Sequence, residues 1–165
     1  MLRIAIFLIL LVGTCAYALW RGGAPERIAA GAMLAACFGS ALVRSDADLR
    51  FSQMEVGIFL IDLLLLAVLF GVALRADRGW PIFVTALHLA TVGAHAVKLI
   101  QPDIIRVTYV VMVTAWSWPM VIALAVGTFR HRLRVGSQGC DLDWSHPLEP
   151  QHRTSLWHPF GRERA

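Results

Sequence analysis

Apolar residues run along this chain in five long blocks separated by short polar links, without the period-two alternation that builds membrane barrels. The blocks are Ile4–Trp20, Ile28–Val43, Val56–Leu74, Trp80–Val97 and Val107–Phe129. Each comes near the roughly 17–25 residues that a helix needs to cross about 30 Å of hydrocarbon. The pattern predicts an all-α integral membrane helical bundle of five transmembrane helices, the form in which every backbone group is satisfied without water. The second block is the shortest. Its 16 residues give only about 24 Å at about 1.5 Å each, and snorkelling of Arg27 and Arg44 at its ends would make up the difference.

The links "RGGAPER" (21–27), "RSDADLRFSQME" (44–55), "RADRG" (75–79) and "KLIQPDIIR" (98–106) are too short to fold alone. Residues 1–134 therefore form one bundle domain. Residues 135–165 are polar, hold three prolines and lack an apolar period long enough for a core, so a disordered cytoplasmic tail is expected there. Its "WSHP", "WHP", Cys140, Asp141, Asp143 and His152 could capture a metal, but the plainer reading is a flexible segment that docks on a partner or on the membrane surface.

Composition sharpens this picture. With 58% hydrophobic and 16% charged residues and a mean hydropathy of +0.64, the chain is too apolar for an ordinary soluble domain. The start "MLR", the apolar run Ile4–Val12 and "AYA" at 16–18 resemble a signal peptide, whose removal would leave four spans. Charge argues for keeping the first span. An N-terminus-inside arrangement places Arg3, Arg44, Arg50, Lys98 and Arg106 in the cytoplasm, whereas the reverse places Arg21, Arg27, Arg75, Arg78, Arg130, Arg132 and Arg134 there. The positive-inside rule selects the second, with the N-terminus out and the C-terminus in the cytoplasm. Most of the net +4 sits in "RHRLR" at 130–134, where it sets orientation and can touch anionic headgroups. No nucleic acid is needed to explain it. Cys15, Cys37 and Cys140 have no disulfide or metal spacing and read as small buried residues.

The sharpest chemical signal lies in the third and fourth blocks. Treated as an antiparallel hairpin turning near Asp77, they bring Asp62 level with about residue 92 and Glu55 level with about residue 99. His88 and His95 then lie within side-chain reach of Asp62 across helices about 8–10 Å apart, and Lys98 is one residue from the level of Glu55. Glu55 and Asp62 are seven apart on one helix face, as are His88 and His95 on the next. Each charge thus has a candidate partner of opposite sign, as a polar group in a membrane requires. Three readings stand: interhelical glue, a ligand or proton site, and groups that do not meet.

The fifth block holds "TAWSWP" at 114–119, with Met112, Trp116, Ser117 and Trp118 as a candidate cavity wall beside the histidines. Pro119 cannot donate its backbone bond and should kink the helix, freeing the carbonyl of Ala115. The second block carries Gly31, Ala35 and Gly39 at a spacing of four, a face that lets helices approach closely. Trp20 and Trp80, at block ends, read as interfacial belt residues. Arg21, Glu26 and Arg27 can pair with "RADR" as exposed ion pairs of little energetic weight.

The segments "RGGAPERI" (21–28), "RADRGWP" (75–81) and "WSWP" (116–119) resemble a group of uncharacterised small multi-span inner-membrane proteins of proteobacteria. The resemblance covers residues 1–134 and implies a helical fold in a bacterial inner membrane. It implies no activity, substrate or catalytic residue.

The functional expectation is a non-enzymatic accessory or assembly subunit packing against another membrane protein or a second copy of itself. The alternative is an intramembrane binder or proton-linked carrier using Asp62, His88 and His95. No cofactor is predicted. Haem would need Met112 or a second subunit to ligate opposite a histidine, and a structural zinc site lacks cysteine.

Overall fold

The computed structural model describes residues 2–45, 51–101, 106–139 and 144, with side chains for all of these except 44–45, 51–55, 99, 106–110 and 138. Every regular element among them is a helix: α1 (Leu2–Arg21), α2 (Ala24–Ser45), α3 (Phe51–Arg75), α4 (Trp80–Ile100), α5 (Arg106–Ala115) and α6 (Ser117–Gln138). Five stretches are long and apolar enough to cross a membrane: Leu2–Arg21, Ala24–Val43, Val56–Arg75, Trp80–Lys98 and Val111–Ser137.

Two of these stretches differ from the sequence pattern in instructive ways. The second helix starts at Ala24 rather than near Ile28, because Pro25 fits a first helical turn and Glu26 complements the positive end of the helix dipole there. Its 22 residues reach about 33 Å, and the shortfall disappears. The fifth stretch breaks at Trp116 into α5 and α6. Pro119 has no N–H to offer the Ala115 carbonyl, and the ladder resumes only with Met120 N–H on Trp116 O at 3.3 Å. At its far end α6 stops on Gly139, whose φ of 76° is the left-handed conformation that closes a helix, with its N–H on Val135 O at 3.0 Å.

The helices close into a ring in which α1 packs on α2, α2 on α3, α3 on α4, α4 on α6 and α6 back on α1. A lighter contact between α2 and α6 crosses the middle. Leu11, Cys15 and Ala18 of α1, Ala29, Ala30 and Met33 of α2, Leu65 and Leu69 of α3, Val84 of α4, and Met120 and Leu124 of α6 make the buried core. The outward faces are apolar too. Ile9, Phe38 and Leu64 are 69–71% exposed, a distribution suited to lipid rather than to water.

The α1–α2 turn is tight. Gly22 N–H bonds Ala18 O at 2.8 Å and Arg27 N–H bonds Gly23 O at 3.0 Å. A side chain at Gly22 would put its Cβ 2.6 Å from the Cβ of Glu26, so the glycine lets the first turn of α2 fold back beneath the end of α1.

Candidate functional site

Among the described residues two polar clusters lie inside the bundle, one halfway along it and one at the end where α2 and α4 begin.

The first joins α3 to α4. The Asp62 carboxylate lies between the rings of His88 and His95, its Oδ2 2.9 Å from His95 Nε2 and its Oδ1 3.9 Å from His88 Nε2. His88 Nε2 also donates to the backbone carbonyl of Asp62 at 2.9 Å. A carbonyl oxygen only accepts, so this ring nitrogen carries its proton. The His95 contact is close but off the hydrogen-bonding direction of Nε2, which makes it an electrostatic contact more than a directed bond. Both histidine side chains are nearly enclosed, at 4–5% exposure, while the Asp62 side chain is 15% exposed. Phe59 tilts against the His95 ring, with centroids 6.1 Å apart. Thr91, on the same side of α4 between the two histidines, is buried, and its hydroxyl has no hydrogen-bond partner among the described residues.

The second cluster gathers residues from α2, α4, α6 and the α3–α4 link. Glu26 is fully buried and takes a guanidinium nitrogen, Nη1, of Arg78 on its carboxylate. Trp80 donates its indole N–H to Glu26 Oε1 at 3.0 Å. Arg78 Nη2 donates to His131 Nδ1 at 3.1 Å, and since a guanidinium can only donate, Nδ1 accepts and the ring proton sits on Nε2. Gly127 makes the arrangement fit. A Cβ there would fall 2.8 Å from Cδ1 of Trp80 and 2.9 Å from its Nε1, so the bare backbone of α6 is what the indole lies against.

Of the sequence candidates, Asp62, His88 and His95 are brought together. Lys98 is half-buried one turn beyond His95; the side chain of Glu55 lies outside those described. Met112 and Trp116 are exposed, at 49% and 38%. Ser117 is half-buried, and Trp118 tilts against Phe7 of α1 with centroids 5.4 Å apart. On α2, Gly39 meets Ile61, Ala35 is exposed and Gly31 has open space beside it. The inward stripe of that helix is instead Glu26, Ala29, Ala30 and Met33.

Two expectations are corrected. The pairing of "RGGAPER" with "RADR" is a buried network rather than an exposed one, because the tight turn at Gly22 tucks Glu26 under the α3–α4 link. Trp80 is a hydrogen-bonded part of that network and not merely a belt residue. His131 was hidden within "RHRLR", which reads as an orienting charge run. Its signal was the spacing Val121, Leu124, Thr128, His131, a buried stripe that continues one turn into the basic segment. Of the tail residues, 135–138 continue α6, Gly139 closes it and Trp144 bridges to the backbone of Ala76; the others lie outside the described residues.

No family model, curated protein or solved structure matches this chain. Among the described residues no group of three His, Cys, Asp or Glu side chains is placed to hold a metal ion.

Proposed function

We propose that the chain is a five-span protein of a bacterial inner membrane, N-terminus out, whose role is non-enzymatic: an accessory subunit packed laterally against another membrane protein. The observation that carries this reading is the use to which the acids Glu26 and Asp62 are put. Glu26 is held by Arg78 and Trp80, and Asp62 by His88 and His95, each across helices. The polar interior thus serves to fasten the ring, as interhelical polar contacts commonly do, and the outward surface left for action is apolar. A furrow of about 750 Å³ runs along the outer side of α3 and α4, lined by Leu63, Ala67, Phe70, Ile82, Ala86 and Leu89, an apolar surface suited to the side chains of a partner helix. A photo-cross-linker placed at Ala67 tests this. Capture of one defined membrane polypeptide from intact membranes, absent when the cross-linker is moved to the buried Leu69, is the expected result. Cross-links to lipid alone would count against a protein partner.

A second reading, an intramembrane binder or proton-linked carrier, is favoured by one feature: the partnerless Thr91 hydroxyl between two histidines and a carboxylate that is the most exposed member of its cluster. Buried polar groups are rarely left unpaired, and a water or small polar ligand would satisfy this one. Asp62→Asn separates the readings. Loss of stability alone belongs to the fastening role, whereas altered ligand affinity or pH-dependent transport in a protein that still folds belongs to the carrier.

A further inference from the structure

A small pocket opens beside the second cluster, between the start of α4 and the last turns of α6. It holds about 320 Å³ and is lined by Arg78, Arg130, Arg134, Trp80, Asp77 and Gly127 among others. Among the described residues, three arginines from two elements line it together with one acid, Asp77, while Glu26 lies behind and pairs with Arg78. The pocket also contains Gly79, the residue before α4, and no side chain caps that helix. The start of α4 therefore adds the positive end of its dipole to the same space, without an N–H from Pro81 in its first turn. Arg78 has Nη1 on Glu26 and Nη2 on His131, so it supplies a positioned charge, and the arginines of α6 supply the charge-assisted bonds that phosphate oxygens accept.

The geometry points to this pocket as a binding site for a phosphate mono- or diester. Rigidity is part of the case. Arg78 is fixed by Glu26 and His131, and Trp80 by Glu26 and the bare backbone at Gly127, so two of the lining side chains are positioned before a ligand arrives. Arg130 is exposed and Arg134 half-buried, one turn apart on α6, and together they form the outer wall. In the orientation proposed above, the pocket sits at the cytoplasmic end of the bundle, level with the headgroups of the inner leaflet. An anionic phospholipid is then one source of the phosphate, and a soluble phosphate ester the other. Only the lipid source rests on the membrane reading.

The test is calorimetric titration of the full chain, purified in a neutral detergent, with dihexanoyl phosphatidylglycerol, with glycerol phosphate, and with dihexanoyl phosphatidylcholine as the zwitterionic control. The expected result is saturable binding of at least one anionic probe, weakened roughly tenfold by Arg130→Gln, which removes a charge-assisted contact, and left unchanged by Arg132→Gln. Arg132 is exposed on the same helix and does not line the pocket. Binding of phosphatidylglycerol alone identifies a headgroup site, and equal binding of glycerol phosphate identifies a soluble ester. Absence of both, or an equal loss from Arg132→Gln and Arg130→Gln, overturns the proposal. Recovery of the chain in the soluble fraction of cells would sink the membrane reading while leaving the glycerol phosphate arm intact.

Discussion

Glu26 and Arg78 stand 52 positions apart in the chain and form an ion pair whose two side chains are 0% and 3% exposed. Through it the first turn of α2 is bound to the α3–α4 link, and through His131 to α6. An ion pair this enclosed is a weak source of net stability but a costly one to break, because the survivor is left as an uncompensated buried charge.

Glu26→Gln should therefore lower stability by about 3–5 kcal/mol. The double variant Glu26→Leu, Arg78→Met should recover most of that loss, since it removes both charges and refills the space. Thermal unfolding of the three proteins in one detergent checks this. A double variant as unstable as the single would show that the pair itself, rather than the orphaned charge, carries the effect.

The Asp62 cluster makes a finer distinction. His95 meets the Asp62 carboxylate, whereas the directed bond from His88 goes to the Asp62 backbone. A double-mutant cycle between Asp62→Ala and His95→Ala should give a coupling of about 0.6–2 kcal/mol, the range of interhelical polar contacts in membranes. The cycle with His88→Ala should give less. Equal couplings would mean that the carboxylate serves both rings alike.

Gly127→Ala introduces a methyl group where the indole of Trp80 already lies. Overpacking of this kind costs about 1–3 kcal/mol, and here it also displaces the indole N–H from Glu26. Combined with Trp80→Ala, the glycine substitution should cost little more than Trp80→Ala alone. Simple additivity of the two unfolding shifts would contradict the close approach.

Asp77 and Gln101 are both exposed and lie at opposite ends of α4. In a background without Cys15, Cys37 and Cys140, a membrane-impermeant thiol reagent should label Gln101→Cys in intact cells and Asp77→Cys only after lysis. The reverse pattern would invert the proposed orientation.

What could be read from the sequence follows the regularity of the physics involved. The meeting of Asp62 with His88 and His95 was legible because helical rise and an antiparallel turn fix the relative depth of residues along neighbouring spans. Pro119 announced the break at Trp116 because a missing N–H is a local property. The burial of Glu26 was not legible. It depends on the sharpness of the turn at Gly22 and on which link crosses above, and both are tertiary facts. His131 was missed because four of its neighbours are basic or bulky exposed residues, and only the stripe through Val121, Leu124 and Thr128 marks its inward side. On α2 the row Gly31, Ala35, Gly39 is the smaller, yet the ring buries Ala29, Ala30 and Met33, because the tight turn at Gly22 and the pairing of Glu26 fix which side of the helix faces inward.

Lateral packing against another membrane protein is the claim on which the proposed function stands. Native mass spectrometry of the chain extracted gently from its own membranes tests that claim most directly. The expected result is a defined complex with a second membrane polypeptide, carrying no small mass other than phospholipid or a phosphate ester. A chain that emerges alone, with a bound ligand that is neither lipid nor phosphate ester, would contradict it and shift the function to the site around Asp62, His88 and His95.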